Sequence, residues 1–481
     1  MDINIINPAI LIAVPLLLAF IAVIFKKSGK VILSLAVILN LFYSIYSAFI
    51  YSGKLVYEIG GFKPPFGISL VVDGYALFGV VLLNTVFALM ILMNFRKIGK
   101  YAIVLLISLA SLNGILLTGD LFNLFVFMEI SAIAAYIMTA MDKGFKHTFN
   151  YLVLGTLASG LYLFGIIVVY NLFGTLNIMD LSAKIGGIAY GAMTLPLVFI
   201  FVGLSVESKL LPFSGWVKGV LKSANGLVGS LILSAYATAV LLMFGRLLNS
   251  VFVLNDELLV AFSAIAVLTL VLAEASAFSS KNIREILLFS SIAQSGLVIV
   301  LFLYGLVLPA ILVLANNVIS KLVLFTISAK MADDTGSDKI SDLKGIFTHY
   351  KCLGIGFTIS AMSMVGLPLF FGFIAKANVL IALMQGGNIW LPIVLLLVAV
   401  VEGVYFIRIL TSLWNAGEEG KLAKLEDVKD YGLKNYILIG IVSILIGILI
   451  VVAGVLPLEN ITKYFDADFL SLLSNNIGGV L

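Results

Sequence analysis

The stretch Phe122–Met138, FNLFVFMEISAIAAYIM, carries a single charge, Glu129, eight residues in. With its neighbours it is long enough to cross the hydrocarbon core of a bilayer, which takes about 20 apolar residues. A charge at that depth costs about 2.5–3.5 kcal/mol on insertion scales. Glu129 must therefore face a hydrated or protein-lined interior, or pair with a cation on a neighbouring helix. Either way the segment is one helix of a bundle.

The rest of the chain is built in the same way. Its 481 residues are 62% hydrophobic and 11% charged, whereas a soluble domain is nearer half apolar and a quarter charged. Such a chain could not cover a water-facing surface, which excludes soluble enzymes and nucleic-acid binders. Fourteen spanning helices are expected, at roughly 8–25, 31–52, 73–94, 101–119, 121–141, 148–171, 191–211, 227–250, 258–280, 285–304, 306–331, 352–383, 390–412 and 436–457. The apolar runs are continuous, not alternating, so a β-barrel does not fit. The fold class is an all-α polytopic membrane protein. The run from Pro8 to Phe25 reads as a span and not as a cleaved signal, because Met1–Pro8 holds Asp2 and no Lys or Arg. One cysteine, Cys352, allows no internal disulfide and no Cys-ligated cluster, and two histidines, His147 and His349, leave little for a metal.

The basic residues give the sidedness. Twenty Lys and Arg fall in odd-numbered connections and four (Lys54, Lys63, Lys184 and Lys463) in even-numbered connections or termini. Positive charge collects on the cytoplasmic side, so the odd loops are expected there and both termini outside. The connection Gly60–Ala76 reads as a small external hairpin, and 172–190 as an interfacial amphipathic turn. The stretch Ala416–Lys434, AGEEGKLAKLEDVKDYGLK, is the most charged of all. It reads as a solvated cytoplasmic loop or as a docking surface for a soluble partner.

Five basic residues remain inside apolar stretches: Lys209, Arg246, Lys321, Lys376 and Arg408. Glu129, Glu207 and Glu402 fall well inside spans, whereas Glu274 and Asp120 lie nearer helix ends. Lys321 is central in LANNVISKLVLFTISAK, and Glu402 is central in LLVAVVEGVYFIRIL. Arg246 and Arg408 read as end-anchors. ESKLLPFSGW around Pro212 and GLPLFFGF around Pro368 both set Pro, Phe and Gly inside a long apolar run. Pro removes a backbone hydrogen bond, and freed carbonyls at membrane depth survive only where buried or lining a polar cavity. Two such breaks beside buried charges suggest two related halves with discontinuous helices, the layout of repeat-built transporters.

Taken in order, PPFGISLVVDGYA, FNLFVFMEIS, HTFNYLVLGTLASGLYLFGI, LPFSGW, KNIREILLFSSIAQSGL, ANNVISKLVLF and GLPLFFGFIAK resemble the antiporter-like subunits shared by respiratory complex I, Mrp-type cation/proton antiporters and membrane-bound hydrogenases. The Mrp D subunit and its archaeal hydrogenase-type relatives look nearest. The resemblance implies fourteen helices, with spans 4–8 and 9–13 as inverted repeats and helices 7 and 12 broken. The chain would be one integral membrane domain, 1–481. It would comprise peripheral helices in 1–100, a first repeat at 101–250, a second at 258–412 and a last helix at 436–457. Glu129 matches the family's fifth-span glutamate, Lys321 its eleventh-span lysine and Lys376 its twelfth-span lysine. The seventh-span lysine position holds Glu207, with Lys209 two residues on. The eighth span has no central Lys or His, Thr238 lying near the expected place, and Asn317 stands where the eleventh span carries histidine.

The function implied is movement of protons or Na⁺ along buried Glu129, Glu207, Lys209, Lys321, Lys376 and Glu402. The chain would work inside a complex of membrane subunits, with a soluble redox module on the cytoplasmic side as a further expected partner. No catalytic residue, cofactor or metal is expected in this chain, and any iron–sulfur clusters would belong to partners. A structural paralogue that couples or seals the complex without conducting remains the alternative. A self-sufficient transporter of a small solute is a third reading.

Overall fold

The computed structural model describes residues 7–51, 53–142, 144–185, 190–387, 389–415 and 429–455. Most of the loop at 416–434, and residues 456–457 of the last expected helix, lie outside them.

The described chain is almost wholly helical. In order come α1 (Ile10–Ile24), α2 (Gly29–Ile50), α3 (Gly74–Met93), α4 (Ala102–Leu117), α5 (Leu121–Met141) and α6 (Phe145–Phe173). A short α7 (Ile178–Lys184), α8 (Tyr190–Glu207) and a short α9 (Val217–Ser223) follow, then α10 (Gly226–Ser250). The remainder is α11 (Asp256–Ser279), α12 (Ile283–Leu303), α13 (Val307–Thr335), α14 (Lys351–Val365), α15 (Phe371–Gln385), α16 (Trp390–Trp414) and α17 (Lys429–Val455). Among the described residues, eleven helices are long and apolar enough to cross a membrane; Ile10–Ile24, Gly191–Glu207, Lys351–Val365 and Phe371–Gln385 are shorter apolar helices.

Local chemistry sets the ends. Asp120 starts α5 by accepting from the amides of Phe122 and Asn123, both at 2.9 Å, satisfying donors that the first helical turn leaves unpaired. Asp73 caps α3 through Ala76 at 2.9 Å, and Gly174, at φ 69°, closes α6. The strands Leu55–Glu58 and Ser69–Val72 pair antiparallel, so the hairpin expected at Gly60–Ala76 begins before Gly60. In the connection 172–190, α7 is capped by the Asn177 side chain.

Two helices are the most deeply buried. From Leu227 to Leu247 every residue of α10 is buried, and α13 is buried over nearly its whole length. Helices α11 and α12 pack side by side, as do α6 and α8, while α10 touches both α12 and α13. The core is thus where the N-terminal and C-terminal sets of helices meet.

Candidate functional site

The site begins with two interruptions. Helix α8 stops at Glu207; Lys209 then takes φ 64°, and a tight turn over Phe213–Trp216 leads into α9. Helix α14 stops at Val365, Gly366 and Leu369 take φ 81° and 78°, and α15 starts at Phe371. Lys209 and Leu369 are the two non-glycine residues with positive φ among those described. A left-handed conformation costs an L-residue about 1–2 kcal/mol, so each break is held by its surroundings. At the second, Ser363 Oγ donates to Asn316 Oδ1 at 2.6 Å and accepts from the Gly372 amide at 3.1 Å. Residue 372 must be glycine, because a Cβ there would meet the Ser363 carbonyl oxygen at 1.7 Å.

A carboxylate cluster lies beside the first break. Glu129 on α5 and Glu207 at the end of α8 are both half-buried and lie within electrostatic reach of each other. Tyr136 reaches both. The Tyr151 hydroxyl lies close enough to Glu207 to interact with its charge. The Tyr151 ring stacks on Trp216, centroids 3.8 Å apart, and meets Tyr136 edge-on. Gly155 leaves room for this arrangement: a Cβ there would lie 2.0 Å from the Tyr136 hydroxyl and 3.7 Å from Glu207 Oε1.

Lys209 turns away from those carboxylates. Its side chain is buried, and Nζ donates to the Leu233 carbonyl at 2.5 Å and to Ser291 Oγ at 2.8 Å. Leu233 lies in a widened π turn of α10, Leu231–Tyr236. Such turns displace the usual i→i+4 bond, are common at functional sites, and here a carbonyl receives the ammonium. Ser291 belongs to α12. Lys209 also feels the charge of Lys321. The left-handed turn thus carries a first-half ammonium to the seam with the second half.

The second half holds the remaining charges. Lys321, fully buried on α13, donates to the Leu287 carbonyl at 3.1 Å and lies 5.6 Å from the centre of the Phe406 ring. It interacts with Glu402, Glu274 and Lys376. Lys376 pairs with Glu402 at 2.6 Å and donates to the Val365 carbonyl at 3.0 Å, which the second break exposes. Gln294 lies 3.5 Å from Glu402.

Glu274 joins this cluster although the sequence does not place it in the axis, since it lies five residues from the end of α11. It is 1% exposed, and neither carboxylate oxygen has a hydrogen-bond partner among the described residues. Its charge reaches Glu402, Lys376 and Lys321. The Tyr405 hydroxyl is near enough to Glu274 and Ser290 to interact with both, and it too has no hydrogen bond within 3.5 Å among the described residues. A carboxylate in an apolar window one turn from a helix end is the signal that could have found it. Arg246 likewise departs from the end-anchor reading: it is buried, pairs with Asp73 at 2.8 Å, and donates to the Leu116 and Thr118 carbonyls. Arg408 reaches the Phe278 and Ser280 carbonyls at the end of α11.

All six residues singled out from the sequence lie within one comparison. A family model described as NADH:quinone oxidoreductase/Mrp antiporter, TM matches residues 118–402. The chain belongs to this family. NADH-quinone oxidoreductase subunit N of Desulforudis audaxviator is 28% identical over 427 residues, 84% of this chain and 84% of that protein. The D subunit of the Na(+)/H(+) antiporter of Alkalihalophilus pseudofirmus is 29% identical over 402 residues, 79% of this chain and 81% of that one. A chain in the structure of the membrane-bound sulfane sulfur reductase, an archaeal respiratory membrane complex, matches with TM-score 0.85 at 29% identity, covering 98% of this chain and 99% of that one. A chain of the Mrp complex from Dietzia matches in fold, with TM-score 0.86 at 18% identity over 100% of this chain and 98% of that one. The protein is therefore a multi-pass, antiporter-like membrane chain of this family.

Proposed function

We propose that this chain moves protons or Na⁺ along a mid-membrane axis as one subunit of a larger membrane complex. The axis runs from Glu129 and Glu207, across Lys209, to Lys321, Glu274, Glu402 and Lys376. The observation that carries the reading is the reach of Lys209 from the first break to Ser291 and the Leu233 carbonyl. It gives the two charged clusters a common member. Buried charges are costly unless paired or hydrated, and those left without close partners, Glu274 above all, are where water or a carried ion would be admitted.

In this reading the chain has fourteen spans. The eleven long apolar helices, α1, α8, and α14 with α15 as one broken crossing support that number. The breaks after Glu207 and Val365 support two related repeats, and the basic loops support a cytoplasmic face. Other membrane subunits are the partners, and a redox module or a counter-ion gradient supplies the drive. The named relatives, a quinone oxidoreductase subunit and a Na(+)/H(+) antiporter subunit, support both drives.

Glu129→Gln or Lys321→Ala in the assembled complex is expected to cut ion movement, measured with a pH dye and with ²²Na⁺ in sealed vesicles. Unchanged movement would reject the axis. A structural paralogue that seals without conducting is the second reading, favoured by the lack of a Lys or His near Thr238 in the middle of α10.

A further inference from the structure

We propose that the basin between the first turns of α6 and helix α9 is a binding site for the phosphate group of an anionic phospholipid. The basin has a volume of about 480 Å³ and includes His147, Asn150, Trp216, Lys218 and Lys222 in its lining. Lys218 and Lys222 are one turn apart and both approach Glu285, at 3.1 and 3.9 Å. One carboxylate thus answers two ammonium ions, leaving one positive charge at the rim.

The floor is shaped. His147 lies against Gly219, where a Cβ would meet Nδ1 at 2.6 Å. Trp216 is buried and held by its stack on Tyr151. The wall beside these polar groups is apolar: Phe149, Val153 and Leu154 are 65%, 39% and 38% exposed, and Leu157, further along α6, is 61% exposed. At 1.5 Å per residue, His147 and Leu157 are about 15 Å apart along the helix. The headgroup layer is only about 5–7 Å deep on each side of the hydrocarbon core. His147 and Asn150 therefore sit at phosphate depth and Leu154 to Leu157 at acyl depth. A free phosphate would use the first set alone; a phospholipid uses both.

Native mass spectrometry of the intact complex, delipidated and titrated with phosphatidylglycerol, tests this without any ion-transport readout. Each lysine near an anionic surface contributes about fivefold in affinity, so Lys218→Gln with Lys222→Gln should weaken binding at one site by about twenty-five-fold. Glu285→Gln releases both lysines and should tighten it, an effect that general damage to the fold would not produce. Lys26→Gln with Lys27→Gln removes the same charge from a basic turn and should change nothing at this site. Three outcomes would overturn the proposal: equal loss in the Lys26/Lys27 variant, equal binding of phosphatidylcholine, or displacement by millimolar inorganic phosphate. The last would assign the basin to free phosphate.

Discussion

Removing one or both members of the Lys376–Glu402 pair separates conduction from scaffolding. At 2.6 Å and an effective dielectric near 20, the attraction is about 6 kcal/mol. Desolvating the two ions costs several kcal/mol each, so the intact pair adds little net stability. Removing one partner is different, because the other stays buried, at about 3–5 kcal/mol. The two sides are unequal. Without Lys376, Glu402 is 1% exposed and, among the described residues, keeps Gln294 at 3.5 Å as its one hydrogen-bond partner, with the Lys321 charge further off. Without the Glu402 charge, Lys376 keeps the Val365 carbonyl at 3.0 Å and a side chain 23% exposed. Lys376→Met should therefore lie near the upper end of that range and Glu402→Gln near or below the lower. The double variant should recover most of the loss. The assay is thermal inactivation of the purified complex beside ion movement in vesicles. The expected result for the double variant is restored heat resistance with ion movement still abolished. Recovery of both would refute the conducting role of the pair, and equal damage from the two single variants would refute the asymmetry.

Asp73→Asn keeps the cap on α3 but strips the charge facing Arg246; with the Leu116 and Thr118 carbonyls still accepting, the cost should be about 2–3 kcal/mol, read by heat inactivation. Lys209→Gly should relieve about 1 kcal/mol of left-handed strain relative to Lys209→Met, while both variants lose ion movement; a conducting Lys209→Met variant would remove this residue from the axis. Glu274→Gln should leave assembly intact and lower ion movement, as measured by co-purification and vesicle transport. Glu207→Gln should lower ion movement or alter its Na⁺ dependence. If Glu207→Gln changes nothing while Glu207→Lys conducts normally, the carboxylate cluster is not an ion site.

The helical class and most of the charged residues are legible from sequence, because a charge in hydrocarbon stands out against its neighbours without any knowledge of packing. Pro212 and Pro368 mark the two breaks for a similar local reason. Where each charge points is not legible. Lys209 is two residues from Glu207, and an unbroken helix would set them about 200° apart; only the left-handed turn at residue 209 directs the ammonium to Ser291 rather than to the carboxylates. Arg246 reads as an anchor because its partner Asp73 is distant in sequence. Glu274 escapes a sequence reading because distance from a helix end is a poor guide to depth once other helices cover that end.

Helix α10 also bears on biogenesis. A helix enters the bilayer from the insertion machinery as an apolar rod that can be solvated by lipid on all sides, and α10 is apolar enough to do so. In the finished protein, lipid touches none of Leu227–Leu247, and its opened turn at Leu233 is satisfied by Lys209 and Ser291, which arrive before and after it. Before α12 is synthesised, that turn lacks one of its two partners. The face of α10 that α12 and α13 cover must likewise wait for them to be made, so the helix reaches its buried position late. Nascent chains arrested just after α10 should be the ones most readily claimed by quality-control proteases.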